Sequence, residues 1–110
     1  MNMFTISGNI SEVKVVKTES GKKYAKFFVT HHIRKSDGSY KQGYFHMTAF
    51  GTVADRLAHF TKGSPLEFVG HFNFNEFTDE NGKIVKRIEN IADSFDKVGN
   101  GAYVGISKSE

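Results

Sequence analysis

Thr52-Val53-Ala54-Asp55-Arg56-Leu57-Ala58-His59-Phe60-Thr61-Lys62-Gly63 is the stretch on which the fold turns, because here the hydrophobic period changes. Val53, Leu57 and Phe60 fall at i, i+4 and i+7, the spacing of one face of a helix of two to three turns. Thr52-Val53-Ala54-Asp55 reads as a capping box, with the threonine hydroxyl and the aspartate carboxylate serving free backbone N–H groups. Lys62-Gly63 carries the chemistry expected at a helix C-terminus. Nearly everywhere else the period is 2, the signature of strands.

Upstream of the helix the alternation predicts three strands. The first runs over residues 3–17, interrupted by a bend or bulge at Gly8-Asn9. The second runs from about Lys22 to Arg34, with Tyr24, Lys26, Phe28 and Thr30 on one face and Ala25, Phe27, Val29 and His31 on the other. Ser36-Asp37-Gly38-Ser39 is a hairpin signal, since Asp-Gly tolerates positive φ, and the third strand covers Tyr40 to Phe50. Downstream, Pro65 opens a fourth strand on which Leu66, Phe68, Phe72 and Phe74 share a face. Asp79-Glu80-Asn81-Gly82 makes the next turn, and a fifth strand runs from Lys83 to about Ala92. Residues 1–98 form one domain, and 99–110 read as a flexible, Gly-rich C-terminal tail. Three meandering strands, a short helix and a two-strand hairpin are the layout of an all-β, five-stranded OB-fold barrel. The competing architecture is an open α+β sheet with the helix packed across it.

Composition narrows the chemistry. The 110 residues include no cysteine, which excludes disulfides, thiolate zinc sites and cysteine nucleophiles and fits a reducing cytoplasm. No apolar run is long enough for a transmembrane helix, and the N-terminus lacks the pattern of a signal peptide, so the chain reads as soluble and cytoplasmic, with no membrane partner. The five histidines show no metal-ligand spacing, and His31 and His32 point to opposite faces of a strand. Asp79-x-Asn81-Gly82 matches only the start of a calcium loop, and Gly99-x-Gly101-x-x-x-Gly105 has the wrong spacing for a dinucleotide fingerprint. No nucleophile–base pairing is readable, so no enzyme, metal or cofactor is expected. Charge and rings are what remain. The net charge is only +3, but Glu12 to Lys41 carries +5 and the rest of the chain about −2. That is the footprint of a polyanion site, or else of lysines solvating an outer strand face. Eleven Phe and four Tyr are more rings than one small core requires.

The chain resembles bacterial single-stranded DNA-binding proteins over roughly residues 4–98. The matching pieces are Ser7-Gly8-Asn9-Ile10, Ala25-Lys26-Phe27-Phe28-Val29-Thr30, Thr48-Ala49-Phe50-Gly51, Thr61-Lys62-Gly63-Ser64, Phe68-Val69-Gly70, Phe77 through Lys83, and Ala92-Asp93-Ser94-Phe95. None is specific alone; their order and spacing carry the resemblance. It implies a non-enzymatic OB-fold that binds single-stranded DNA in replication, recombination, repair or mobile-element transfer. It also implies a homo-oligomer, dimer or tetramer, paired partly through the first strand. Tyr44 and Phe77 align with positions usually occupied by tryptophan, and Phe50 with an aromatic used for stacking. A third such tryptophan aligns near Lys35, where no ring remains. The acidic, hydrophobic tail tip through which such proteins recruit replication and repair partners has no counterpart in Ile106-Ser107-Lys108-Ser109-Glu110.

Single strands are held by cations on phosphates and by aromatic faces on bases. Tyr40, Tyr44, Phe50 and Phe77, interleaved with Lys22, Lys26, Arg34, Lys35 and Lys41, are the candidate residues. Each has a plainer reading. Phe50 precedes the helix and fits a core position equally well. Alternation sends Tyr44 and Phe45 to opposite faces, and the register decides which ring leaves the core. Phe77 breaks the even-numbered phase of its strand and points outward unless a bulge at Asn75-Glu76 resets it. Tyr40 follows a turn, where exposure does not require a role. One of Phe27 and Phe28 is core; Phe68, Phe72 and Val29 are assigned to it, and Phe60 faces it from the helix. Two other functions stay open: a protein–protein adaptor of a replication-restart or mobile-element complex, with the rings as interface anchors, and an RNA-binding OB module.

Overall fold

The computed structural model describes residues 1–98. It contains β1 (Phe4–Ile10), β2 (Val16–Lys17), β3 (Lys23–Arg34), β4 (Tyr40–Phe50), α1 (Gly51–Leu57), β5 (Pro65–Thr78) and β6 (Ile84–Lys97). The flexible tail expected over 99–110 lies outside the described residues. Neighbours run β1–β5–β6–β4–β3, and β3 returns to β1 through Asn9↔Thr30 and Ile10↔Val29. The five long strands therefore close into a barrel, while β2 only edges β3. One contact in the ring is parallel, Thr48↔Ile91 and Ala49↔Ala92 between β4 and β6. The helix lies between the third and fourth barrel strands. This is an OB-fold, and closure removes the open-sheet alternative.

Inside, Phe27, Val29, Met47, Leu66, Phe68 and Phe95 form one buried cluster, to which α1 adds Ala54 and Leu57. Phe68 is central: 1% exposed, with its ring 5.4 Å from Phe27 and 5.9 Å from Phe95. Burying such a ring stabilises the fold by roughly 1.5–3 kcal/mol. Phe60 packs edge-on against Phe95 at 5.4 Å, facing the barrel from just beyond the helix.

Several boundaries differ from those expected, and tertiary contacts explain each. The first strand does not span 3–17. Gly8-Asn9 stays in β1, where a Cβ on Gly8 would meet the Thr30 carbonyl at 2.5 Å, and the break falls at Ser11. There the Ser11 hydroxyl accepts the Phe28 N–H (3.1 Å), taking over from ladder pairing. The capping box does not form. Phe50 is the N-cap, no side chain caps the helix, and Asp55 instead pairs with Lys23 at 3.3 Å. The helix ends at Leu57, not Lys62-Gly63. Gly63, at φ +93°, gives its N–H to the Ile10 carbonyl (2.8 Å) and so ties the loop to the end of β1.

The fifth barrel strand was expected to stop near Ala92 but continues to Lys97. Val69 pairs with Ser94 and Gly70 with Ala92, so Asp93 is skipped and binds His71 at 2.7 Å instead. The skipped residue changes the phase of β6 and lets both Ala92 and Phe95 point inward. No shift occurs at Asn75-Glu76. Phe72, expected in the core, is half-buried at the barrel's end, 5.3 Å from Phe4, and Phe74 is 70% exposed. Beyond Phe72 the β5–β6 hairpin has left the barrel.

Candidate nucleic-acid interface

The site is built on the ladder between β3 and β4, which runs without a register shift from Tyr24↔Phe50 to Arg34↔Tyr40. Since side chains alternate, an unbroken register fixes the face of every residue. The odd-numbered Ala25, Phe27, Val29, Met47 and Ala49 are buried. The even-numbered residues therefore share the outer face as successive pairs: Tyr24 with Phe50, Lys26 with Thr48, Phe28 with His46, Thr30 with Tyr44, His32 with Gln42, Arg34 with Tyr40. At ~3.3 Å per residue this stripe is roughly 33 Å long.

The rings form contacts along it. Phe28 stands edge-on to Tyr44 at 5.5 Å and tilted against His46 at 5.4 Å, and His32 is edge-on to Tyr40 at 6.4 Å. Tyr44 and Tyr40 remain 58% and 61% exposed, and Phe50 48%, so none of the three is a core residue. Phe45, the other ring of the adjacent pair, turns inward and packs on Phe4 at 5.1 Å. Among the described residues Lys22, Lys26, Arg34 and Lys35 form no ion pair, which leaves their charge available.

The structure brings most of the candidates together. Tyr40, Tyr44, Phe50, Lys26 and Arg34 lie on the one stripe; Lys22 precedes β3 at its Tyr24 end, and Lys35 opens the turn at its Arg34 end. Lys41 is the exception. It pairs with Ile33 in odd phase and belongs to the opposite face. Phe77 is not on the stripe either; it sits on the projecting hairpin, 42% exposed, with the Arg87 guanidinium 5.0 Å over its ring. The turn at the Arg34–Tyr40 end is fastened by Asp37, whose carboxylate accepts the Ser39 hydroxyl (2.6 Å) and N–H (2.9 Å). Those bonds hold the Asp37 carboxyl below its ordinary value, the hydroxyl contributing most.

A cleft of about 550 Å³ opens where β4 and β6 diverge from their short parallel contact. Lys26, Phe28 and His46 line it from the stripe, Arg87 and Asn90 from β6, and Lys62 from the segment after α1. Phe28, His46, Lys62 and Arg87 were not candidates from the sequence. The first two share the even phase of Lys26 and Tyr44, a signal that was present. Lys62 and Arg87 reach the cleft only through barrel closure. A second cleft, about 500 Å³ between β1, β5 and β6, is lined by Glu67 and Asp96 and by no lysine or arginine. Lys26, Lys62 and Arg87 outnumber Glu12 and Glu89 at the first cleft, so a polyanion is favoured there and not at the second.

An OB barrel with a ring-bearing, cation-lined outer face belongs to the class of folds that hold nucleic-acid strands in a groove. Residues 1–98 match the family described as the single-strand binding protein family, and the chain belongs to it. Membership implies binding of single-stranded DNA, and the family is a non-enzymatic one. No curated protein matches the chain. Among the described residues no three His, Cys, Asp or Glu are grouped to hold a metal, and no helix is long and apolar enough to cross a membrane.

Proposed function

We propose that this protein coats single-stranded DNA with little sequence preference, as a homo-oligomer in the cytoplasm, during replication, recombination, repair or mobile-element transfer. The observation that carries this reading is the β3–β4 stripe, on which Phe28, Tyr44, Phe50 and Tyr40 alternate with Lys26 and Arg34, unpaired among the described residues. Rings read any base by its π-face, and each stacked base is worth about 1–3 kcal/mol. Cations on the same face add counterion release on the phosphates. Phe77 and Arg87 extend this surface onto the hairpin.

Fluorescence anisotropy with a labelled oligothymidine of roughly 16 nucleotides, the upper end of what one OB-fold covers, tests the reading. Single-strand binding should greatly exceed binding to a duplex of equal length and should weaken steeply with salt. Tyr44→Ala should lower affinity by about tenfold, equivalent to ~1.4 kcal/mol, with folding intact, and Phe77→Ala by a similar or smaller factor. Full affinity in both variants would remove the stacking assignment. Sedimentation tests the oligomer: a monomer at micromolar concentration overturns that part.

A protein-adaptor reading has one observation in its favour, the exposed Phe74, Ile84 and Ile88 on one hairpin face. It predicts partner binding that survives high salt and negligible affinity for oligothymidine.

A further inference from the structure

The β4–β6 cleft holds a titratable ring amid fixed charges. His46 stands on β4 beside Phe28, exposed, and its ring nitrogens have no hydrogen-bond partner among the described residues. Its backbone is anchored: the Asn90 side chain donates to the His46 carbonyl at 2.8 Å, at the point where β4 and β6 part. The charged groups lining the same cleft are Lys26 of β3, Glu12 of the segment after β1, Lys62 of the segment after α1, and Arg87 and Glu89 of β6. Glu12 lies 3.7 Å from Lys14, which offsets part of its charge. Three cations against two carboxylates leave the cleft net positive, a field that favours a phosphodiester beside the imidazole.

We infer that His46 is a phosphate-binding residue that takes up a proton as the single strand enters, so that affinity for the strand rises as the solution is acidified. The inference rests on the stripe binding single-stranded DNA, and adds which group makes that binding respond to pH. A phosphate beside the ring favours its charged form, so the complex binds more protons than the free protein. By linkage, affinity is highest below the free ring's midpoint and falls as pH rises through the higher midpoint of the complex. Histidine is the side chain whose charge changes near physiological pH, and each unit of difference between free and bound midpoints is a tenfold change in affinity.

The test is anisotropy with oligothymidine at about pH 6, 7 and 8 and fixed ionic strength, on the wild type, His46→Gln, His46→Arg and His59→Gln, His59 being exposed and outside both the stripe and the cleft. Thymine does not titrate in this range, so any slope belongs to the protein. The wild type should bind several-fold to about tenfold tighter at pH 6 than at pH 8. His46→Gln should be flat near the wild-type value at pH 8, His46→Arg flat and tight, and His59→Gln should keep the slope. Circular dichroism confirms that each variant is folded. Binding that is tight but independent of pH, a slope that survives His46→Gln, or one that disappears with His59→Gln, overturns this inference and leaves the proposed function standing. Absence of oligothymidine binding at every pH overturns both.

Discussion

Strands β3 and β4 and the outer half of the β5–β6 hairpin are both antiparallel ladders studded with aromatic and aliphatic residues, yet they use them differently. On β3–β4 one face is sealed: Ala25, Val29 and Ala49 are fully buried and Phe27 is 4% exposed, while Tyr40, Tyr44 and Phe50 stand in solvent on the other side. On the hairpin beyond Phe72 neither face is sealed. Phe74 and Ile88 pair on one face, 70% and 62% exposed, and Phe77 lies on the other at 42%. The difference is the opposing layer. Barrel strands and α1 lie across the inner face of β3–β4, whereas no element among the described residues lies across either face of the hairpin tip. Alternation assigns residues to faces, and only a second layer turns a face into a core.

The sharpest way to break the comparison is to truncate one phenylalanine in each region. Phe68→Ala should destabilise the protein by about 3–5 kcal/mol, through lost burial and the cavity left behind. Phe74→Ala should change stability by no more than about 0.5 kcal/mol. Urea unfolding midpoints check both. An equal cost would mean that the hairpin face is covered in solution, as at an assembly interface.

A smaller separation is expected from the glycines. A Cβ at Gly70 would collide with the Ile91 carbonyl and the Phe4 ring, so Gly70→Ala should cost about 1–3 kcal/mol or more. Gly82, at φ +80° in the hairpin turn, has open space around it, and Gly82→Ala should cost only the backbone preference, about 1 kcal/mol. The same unfolding curves rank them; a reversed order would place the rigid part of the molecule in the hairpin rather than the barrel.

The smallest effect belongs to the β3–β4 turn. Because the Ser39 hydroxyl and N–H lower the folded value of Asp37, its contribution to stability is present above a carboxylate's ordinary ~3.9 and is lost as pH falls through that lowered value. The stability difference between wild type and Asp37→Ala should therefore shrink between about pH 5 and pH 2. A difference that grows on acidification would show that the turn is not held by the charged carboxylate.

Much of the fold was readable from short-range chemistry. The strand Tyr40–Phe50 has the bounds its alternation predicts, Asp37-Gly38 and Asp79 to Gly82 turn where expected, and the helix lies between the third and fourth barrel strands. The end of β6 is not legible in the sequence because the skipped Asp93 changes its phase, and a changed phase looks like the end of a strand. The helix ends are not legible either, because Asp55 and Gly63 make long-range bonds to Lys23 and Ile10 that outweigh local capping.

For the candidate site the division is similar. Once the ladder register is given, parity places Tyr40, Tyr44, Phe50, Lys26 and Arg34 on one face and removes Lys41 from it. No local pattern predicts that Arg87 and Lys62 share a cleft with His46, since they come from distant segments that meet only when the barrel closes. By itself the sequence determined the strand periodicity, the turn positions, the helix insertion and the surplus of rings and cations, all set by interactions within a few residues. Which rings became core, where the strands stopped and which charges converged were decided by the tertiary structure. Burial and field are properties of layers brought together across the chain, not of neighbours along it.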